Sequence, residues 1–207
     1  MIRLLSELTQ FYSVNDQLVN TLRFEIRLQK SIDGDTLRHA IDMAIRRYPY
    51  FSVKTAVVNE EYVLLANNEP IVVTHGAEPI CLGSGEANHH LLALAYEEKS
   101  IFFDFFHGIT DAIGAFPLIK TVLYYYLCER ENTILASDGI RLADSEIPSE
   151  ETDDPYPEYV PEDIRPLGEF KPCPQFCLPE RTGPHAGEQS VYHIRIRETD
   201  FMRICKL

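Results

Sequence analysis

A histidine followed four positions later by an aspartate, in the segment Phe106-His107-Gly108-Ile109-Thr110-Asp111, is the pattern in this sequence that offers the most chemistry. An imidazole that is neutral near pH 7 can take a proton from a hydroxyl, an amine or a thiol and return it later in the same reaction. Phe105 and Phe106 precede His107, and the partial dehydration they imply disfavours the charged ring. Gly108 is expected to let the backbone turn tightly. Asp111 can brace the loop by pairing with an arginine or by capping a helix that starts just beyond it. The same spacing also suits a core histidine beside a helix cap, and so short a pattern does not separate the two.

Other polar groups point less clearly to a reaction. Cys173, Cys177, His185 and His193 are irregularly spaced, with Cys173 between two prolines, which argues against a zinc site. Gly83-Ser84-Gly85 lacks the lysine of a phosphate loop and reads as a turn. His89-His90 is expected at the edge of a strand, and Tyr124-Tyr125-Tyr126 reads as helix packing and surface. Asp104 is a charge inside a run of phenylalanines, expected to face a channel or to meet an arginine and not to act in catalysis.

The elements around His107 follow from periodicity. Residues 101–106 hold five apolar residues of six, four of them phenylalanine, which suits a strand buried on both faces. Residues 91–96 fit either helix or strand by pattern. Residues 21–29 alternate apolar and polar as a half-buried strand. Asp33-Gly34-Asp35 then opens a helix with Leu37, Ala40, Ile41, Ala44, Ile45 and Tyr48 on one face, and Pro49 stops it. Residues 51–58 and 61–66 read as two strands joined at Asn59-Glu60. Phe116, Ile119, Val122, Leu123, Tyr126 and Leu127 trace a second helix, with Pro117 expected within about its first turn. Residues 137–186 hold nine of the thirteen prolines and the acidic block Glu150-Glu151-Thr152-Asp153-Asp154, and read as an irregular crossover. Residues 191–197 alternate as a strand, and 198–207 begin an amphipathic pattern.

Composition narrows the partners. The chain carries 19 basic and 32 acidic residues, a formal charge of −13, which argues against nucleic acid or an anionic membrane surface as the main partner. No apolar run reaches the roughly 20 residues needed to span a bilayer. Five scattered cysteines in an acidic chain suit a reducing, cytoplasmic setting.

With these elements in place, the chain resembles the CoA-dependent acyltransferase superfamily: chloramphenicol acetyltransferase, alcohol acetyltransferases and peptide-synthetase condensation domains. The shared mark is HxxxD, often HHxxxDG, at the end of a buried strand and before a helix, here Phe106-His107-Gly108-Ile109-Thr110-Asp111-Ala112. A second landmark is a helix ending in a phrase like Arg-His-Pro, here Arg46-Arg47-Tyr48-Pro49-Tyr50-Phe51. The order of elements from residue 21 onward also matches, and it resolves residues 91–96 as the strand paired with 101–106. The bacterial alcohol-acetyltransferase or condensation-like group is nearest, on Tyr48-Pro49-Tyr50-Phe51 and Phe116-Pro117-Leu118-Ile119-Lys120-Thr121.

The resemblance implies direct acyl transfer from a CoA or carrier-protein thioester to an alcohol or amine, with no permanently bound cofactor. It makes His107 the general base and Asp111 a structural brace of the catalytic loop, with an ion-pair partner to be sought among Arg23, Arg27 and Lys54. Gly108 would line the tunnel, and Phe106 stands where many relatives have a first histidine. Ala112 replaces the family's glycine, and Ser52 stands where condensation domains often carry an arginine.

The fold expected is a two-layer α/β sandwich, a mixed sheet with helices 35–48 and 113–129 on one face. Residues 1–136 form the acyltransferase-like subdomain, 137–186 the acidic crossover, and 187–207 a strand and helix start leading toward a second half. The chain is therefore expected to be a fragment that is inactive by itself and whose apolar half-interface is exposed. The alternatives are a non-catalytic binding or scaffold domain, and a small enzyme that completes its tunnel by dimerising.

Overall fold

The computed structural model describes residues 2–3, 21–59 and 61–152, all within one compact unit. The expected strand and helix start at 187–207, most of the crossover, and Cys173, Cys177, His185 and His193 lie outside the described residues. In chain order the elements are β1 (Ile2–Arg3), β2 (Thr21–Arg27), α1 (Gly34–Ile45), β3 (Val53–Val58), β4 (Glu61–Ala66), β5 (Val73–His75), β6 (Leu92–Glu97), β7 (Ser100–Phe106) and α2 (Ala112–Arg130).

The main sheet runs β2–β7–β6–β5, and a smaller sheet runs β1–β4–β3. The β2–β7 and β6–β7 pairs are antiparallel and β5–β6 is parallel, so the main sheet is mixed, as expected. Every residue of β7 is buried. Its odd-numbered residues Ile101, Phe103 and Phe105 share a core with Leu37, Ile41 and Ala44 of α1 and Leu118, Ile119 and Val122 of α2. Successive side chains of a strand point to opposite faces, and Phe106 accordingly enters a second cluster with Val53, Leu64, Leu91 and Ala93. Burying one phenylalanine or leucine in full is worth about 1.5–3 kcal/mol, so the alternation of β7 ties both clusters to one strand.

Local chemistry explains where elements stop. Asp33 caps α1, its Oδ1 accepting from the Thr36 N–H at 2.9 Å. The helix ends at Ile45, not at Tyr48 as its apolar stripe suggested. Arg47 and Tyr48 donate to Ala44 and Ile45 three residues back, each at 3.0 Å, tightening the last turn. Pro49 disfavours helical backbone at Tyr48, which sits at φ −124°, ψ 54°. A short 3₁₀ turn, Pro49–Phe51, follows, so β3 begins two residues later than expected. Pro117 is the sixth residue of α2 and so lies in its second turn, beyond the expected first. The missing N–H deprives the Ile113 carbonyl of a helical donor, and Ile113 is 79% exposed, so water can reach it.

Two ion pairs stand among these apolar clusters. Asp104, 1% exposed, lies opposite Arg23 in the β2–β7 register. Arg23 grips both its oxygens, Nε to Oδ1 at 2.6 Å and Nη2 to Oδ2 at 2.7 Å. The same guanidinium also donates to the Ala77 carbonyl and lies over the Phe102 ring. Arg47, 2% exposed, makes a second fork onto Glu151, with both contacts at 2.8 Å. Tyr50 donates to Glu151 at 2.9 Å and Arg141 at 2.6 Å. Residues 137–152, irregular apart from a 3₁₀ turn at Ser149–Glu151, are held to the end of α1 by one residue of the acidic block. Hydrogen bonds from Arg47, helped by Tyr50 and the charge of Arg141, hold the Glu151 carboxyl down at about 2. Burial, and then the bond to Glu151, push the Tyr50 hydroxyl up.

Two outcomes follow from these pairs. Removing one partner of a buried pair leaves an uncompensated charge, so Arg23→Ala should lose about 3–5 kcal/mol in urea unfolding. Replacing Arg23 and Asp104 together by leucine should recover most of that loss, and a double variant as unstable as the single one would rule out the unpaired charge as its cause. A carboxyl whose folded pKa is depressed stabilises fully above its unfolded value and loses that stabilisation as pH falls through the folded value. The stability difference between wild type and Glu151→Gln should therefore hold steady above the ordinary value of 4.5 and shrink toward zero near pH 2.

Candidate functional site

His107 stands where the expected motif put it, directly after the last residue of β7. The Ile109 N–H donates to the Phe106 carbonyl at 3.0 Å, which closes a β-turn with His107 and Gly108 at its centre. Behind the turn, the Phe106 N–H donates to the Leu91 carbonyl at 2.9 Å, extending the β6–β7 ladder up to the histidine. His107 and Gly108 are half-buried, whereas Phe105 and Phe106 are fully buried. The imidazole therefore sits on the boundary between a dry strand and the surface, where a ring can be approached and still be partly shielded.

The reason for glycine at 108 differs from the expected one. Gly108 is not among the glycines with positive φ, so the backbone alone does not demand it. A Cβ there would run into the Phe106 ring, 2.9 Å from its Cζ. Space, not turn geometry, excludes a side chain.

Asp111 braces the loop by the capping route. Its Oδ1 accepts from the Gly114 N–H at 2.8 Å, making Asp111 the N-cap of α2. Gly114 again fits by size, since a Cβ would meet the Thr110 hydroxyl. Among the described residues no ion pair reaches Asp111. Of the three candidate partners, Arg23 is committed to Asp104, and neither Arg27 nor Lys54 pairs with the motif aspartate. Asp104 thus meets an arginine, one of the two roles expected for it. Ser52 donates to the Asn67 carbonyl at 2.8 Å instead of supplying a charge.

The residues set aside as structural behave so. Ser84 caps a short turn, Gly85–Ala87. Tyr126 accepts from the Asp33 N–H at 3.0 Å, and Tyr125 from the Ala143 N–H at 2.8 Å, joining α2 to its neighbours. His89 is exposed, whereas His90, just before β6, is fully buried. Its Nε2 faces the Glu69 carbonyl at 2.7 Å, so that nitrogen carries the proton, and burial pushes the ring's pKa down.

The Arg47–Glu151 cluster escaped sequence reasoning, although a signal existed. Arg47 lies seven residues after Ala40 and three after Ala44, two residues past the end of α1 but in line with its buried stripe, where a charge needs a partner. Near the motif, Ile113 and Phe116 stand exposed on the first turns of α2, at 79% and 44%. Phe116 also packs at a tilt against Phe24, with ring centroids 5.4 Å apart. Among the described residues no cluster of His, Cys, Asp and Glu is arranged to hold a metal, and no helix is long and apolar enough to cross a membrane.

No protein-family model matches the chain, and no curated protein matches it. Solved structures do. The starter condensation domain of rhizomide synthetase RzmA is similar over 63% of this chain and 37% of that one, at 11% identity and a TM-score of 0.47. A condensation domain that mediates chain release from the enacyloxin polyketide synthase is similar over 64% and 32%, at 12% identity and a TM-score of 0.44. SgcC5 from Streptomyces globisporus is similar over 57% and 32%, at 15% identity and a TM-score of 0.44. The matched region spans about a third of the length of these structures.

Because Asp111 caps α2, side-chain acceptance matters more than charge. Asp111→Ala should cost about 1 kcal/mol of unfolding free energy and Asp111→Asn only a few tenths. Chemical denaturation of both variants measures this, and equal losses would point to a charge-dependent role.

Proposed function

We propose that the protein is an acyltransferase that moves an acyl group from a CoA or carrier-protein thioester to an alcohol or amine, with His107 as its general base. The observation that carries this reading is the placement of the imidazole: half-buried, at the centre of a hydrogen-bonded turn, on the end of a strand buried on both faces. The HxxxD motif and the order of elements around it support the same assignment.

In this reading His107 accepts the proton of the acceptor's O–H or N–H as the oxygen or nitrogen attacks the thioester carbonyl carbon. A C–O or C–N bond forms, the carbonyl oxygen becomes an oxyanion, and a hydrogen-bond donor is needed to hold it. Collapse breaks the C–S bond, and His107 delivers its proton to the departing thiolate, leaving an ester or amide and a free thiol. Asp111 acts on the loop through the α2 cap and takes no proton. Gly108 and Phe106 shape the loop. The exposed Ile113 and Phe116 offer an apolar approach on the following helix.

The protein, produced at the full length its gene encodes, should release free thiol from acetyl-CoA or a longer acyl-CoA when an alcohol or amine acceptor is supplied. His107→Ala should slow that release by about 10²-fold or more, the scale of general-base catalysis. Equal rates in the two proteins would remove His107 from the reaction. A folded wild type that releases no thiol with any donor or acceptor would favour the binding-domain alternative.

A further inference from the structure

We propose that Phe106 and Gly108 are a size-matched pair that sets the direction of the His107 imidazole, making Gly108 a positioning residue for the base. The inference deepens the acyltransferase reading and, for its kinetic arm, rests on it. Three observations converge. First, His107 lies between the two residues within one hydrogen-bonded turn, closed by the 3.0 Å bond from Ile109 to Phe106. Second, the Phe106 ring has no room to yield. It is 2% exposed, packed in a cluster with Val53, Leu64, Leu82, Leu91 and Ala93, and its backbone is pinned to Leu91 at 2.9 Å. Third, a Cβ at 108 would lie 2.9 Å from Cζ and 3.1 Å from Cδ1 of that ring, closer than carbon atoms pack.

Close-packed interiors pass strain to whatever is softest. Here the ring is walled in and the turn is half-exposed, so a side chain at 108 displaces the turn. The peptide planes flanking His107 rotate and carry the imidazole with them. The pairing also accounts for Phe106 itself: a large ring before the histidine requires the smallest residue after it. A shorter side chain at 106 should then tolerate a methyl group at 108.

The test is a two-residue cycle with two readouts. In the 207-residue chain labelled with ¹³C-histidine, the His107 ring signal is identified by its loss in His107→Ala. Gly108→Ala should shift that signal and leave those of His39 and His75 in place. Phe106→Leu combined with Gly108→Ala, which removes the ring atoms Cε1 and Cζ, should return it toward the wild-type position. With acetyl-CoA as donor, Gly108→Ala should lower kcat by about 10-fold or more with KM little changed, as expected for a displaced catalytic group. The double variant should recover at least half of that loss on a logarithmic scale.

An unmoved His107 signal in Gly108→Ala, or no recovery in the double variant, overturns the pairing. A shifted signal with unchanged kcat overturns the positioning role. If Gly108→Ala fails to fold, folding of the double variant upholds the size match and its failure refutes it. A wild type that releases no thiol defeats the acyl-transfer reading, while the ring signals still decide whether the pair orients His107.

Discussion

Strand β7 can be wetted on neither face, and the rest of the described fold answers that constraint. Its odd side chains require the two helices, and Phe106 on the other face packs against Val53 and Leu64 of the smaller sheet, so a single seven-residue segment joins both clusters. Because β7 lies between β2 and β6, it also has no free edge at which pairing could slip. A one-residue shift would exchange Phe103 and Phe105 for Asp104 on the helix side, placing a carboxylate among leucines. The histidine inherits its position from that register. It is the first residue beyond the ladder, and the turn that holds it is closed by the last residue within the ladder.

Charge is handled by the same economy. Two carboxylates, the buried Asp104 and the half-buried Glu151, meet planar guanidinium groups in two-pronged contacts, the geometry in which arginine outperforms lysine. The two forks have different jobs. Arg23–Asp104 joins adjacent strands within the sheet, whereas Arg47–Glu151 ties an irregular segment to the end of α1 across 104 residues of chain. Such forks contribute little net stability over an apolar replacement. Their value lies in direction, since few other arrangements satisfy both partners.

Much of this was legible in the sequence. The two-residue period of β2, the phenylalanine run of β7 and the apolar stripe of α1 each state which face is buried. The location of His107 and the two routes open to Asp111 could be read from spacing and helix-cap chemistry. What spacing could not say was which route Asp111 takes, because that depends on where Arg23 points, and Arg23 is claimed by a residue 81 positions away. The glycine at 108 was visible, but its reason was hidden, since turn flexibility and lack of room leave the same letter in a sequence. Nothing in the acidic block of the irregular crossover singles out Glu151, because neighbouring charges mask the one that is paired. The end of α1 falls short of Tyr48 because the effect of Pro49 on Tyr48 outweighs the apolar stripe. Residues 91–96 are ambiguous by pattern, and only the resemblance in the order of elements marks them as a strand.

The ion pair of Asp104 also bears on the chain before it folds. Residues 101–106, Ile-Phe-Phe-Asp-Phe-Phe, form a short, aromatic, proline-free window of the kind that stacks into intermolecular sheets when left exposed. Its native partners on one side lie about eighty residues earlier in the chain, so pairing must await a long loop closure. A charge within such a window disfavours the stacking of one copy on another, and Asp104 is the only charge in this one. Arg23 is synthesised first and stands ready to neutralise that charge once β7 docks on its own sheet. The one charge in this window is thus the one that the native register neutralises.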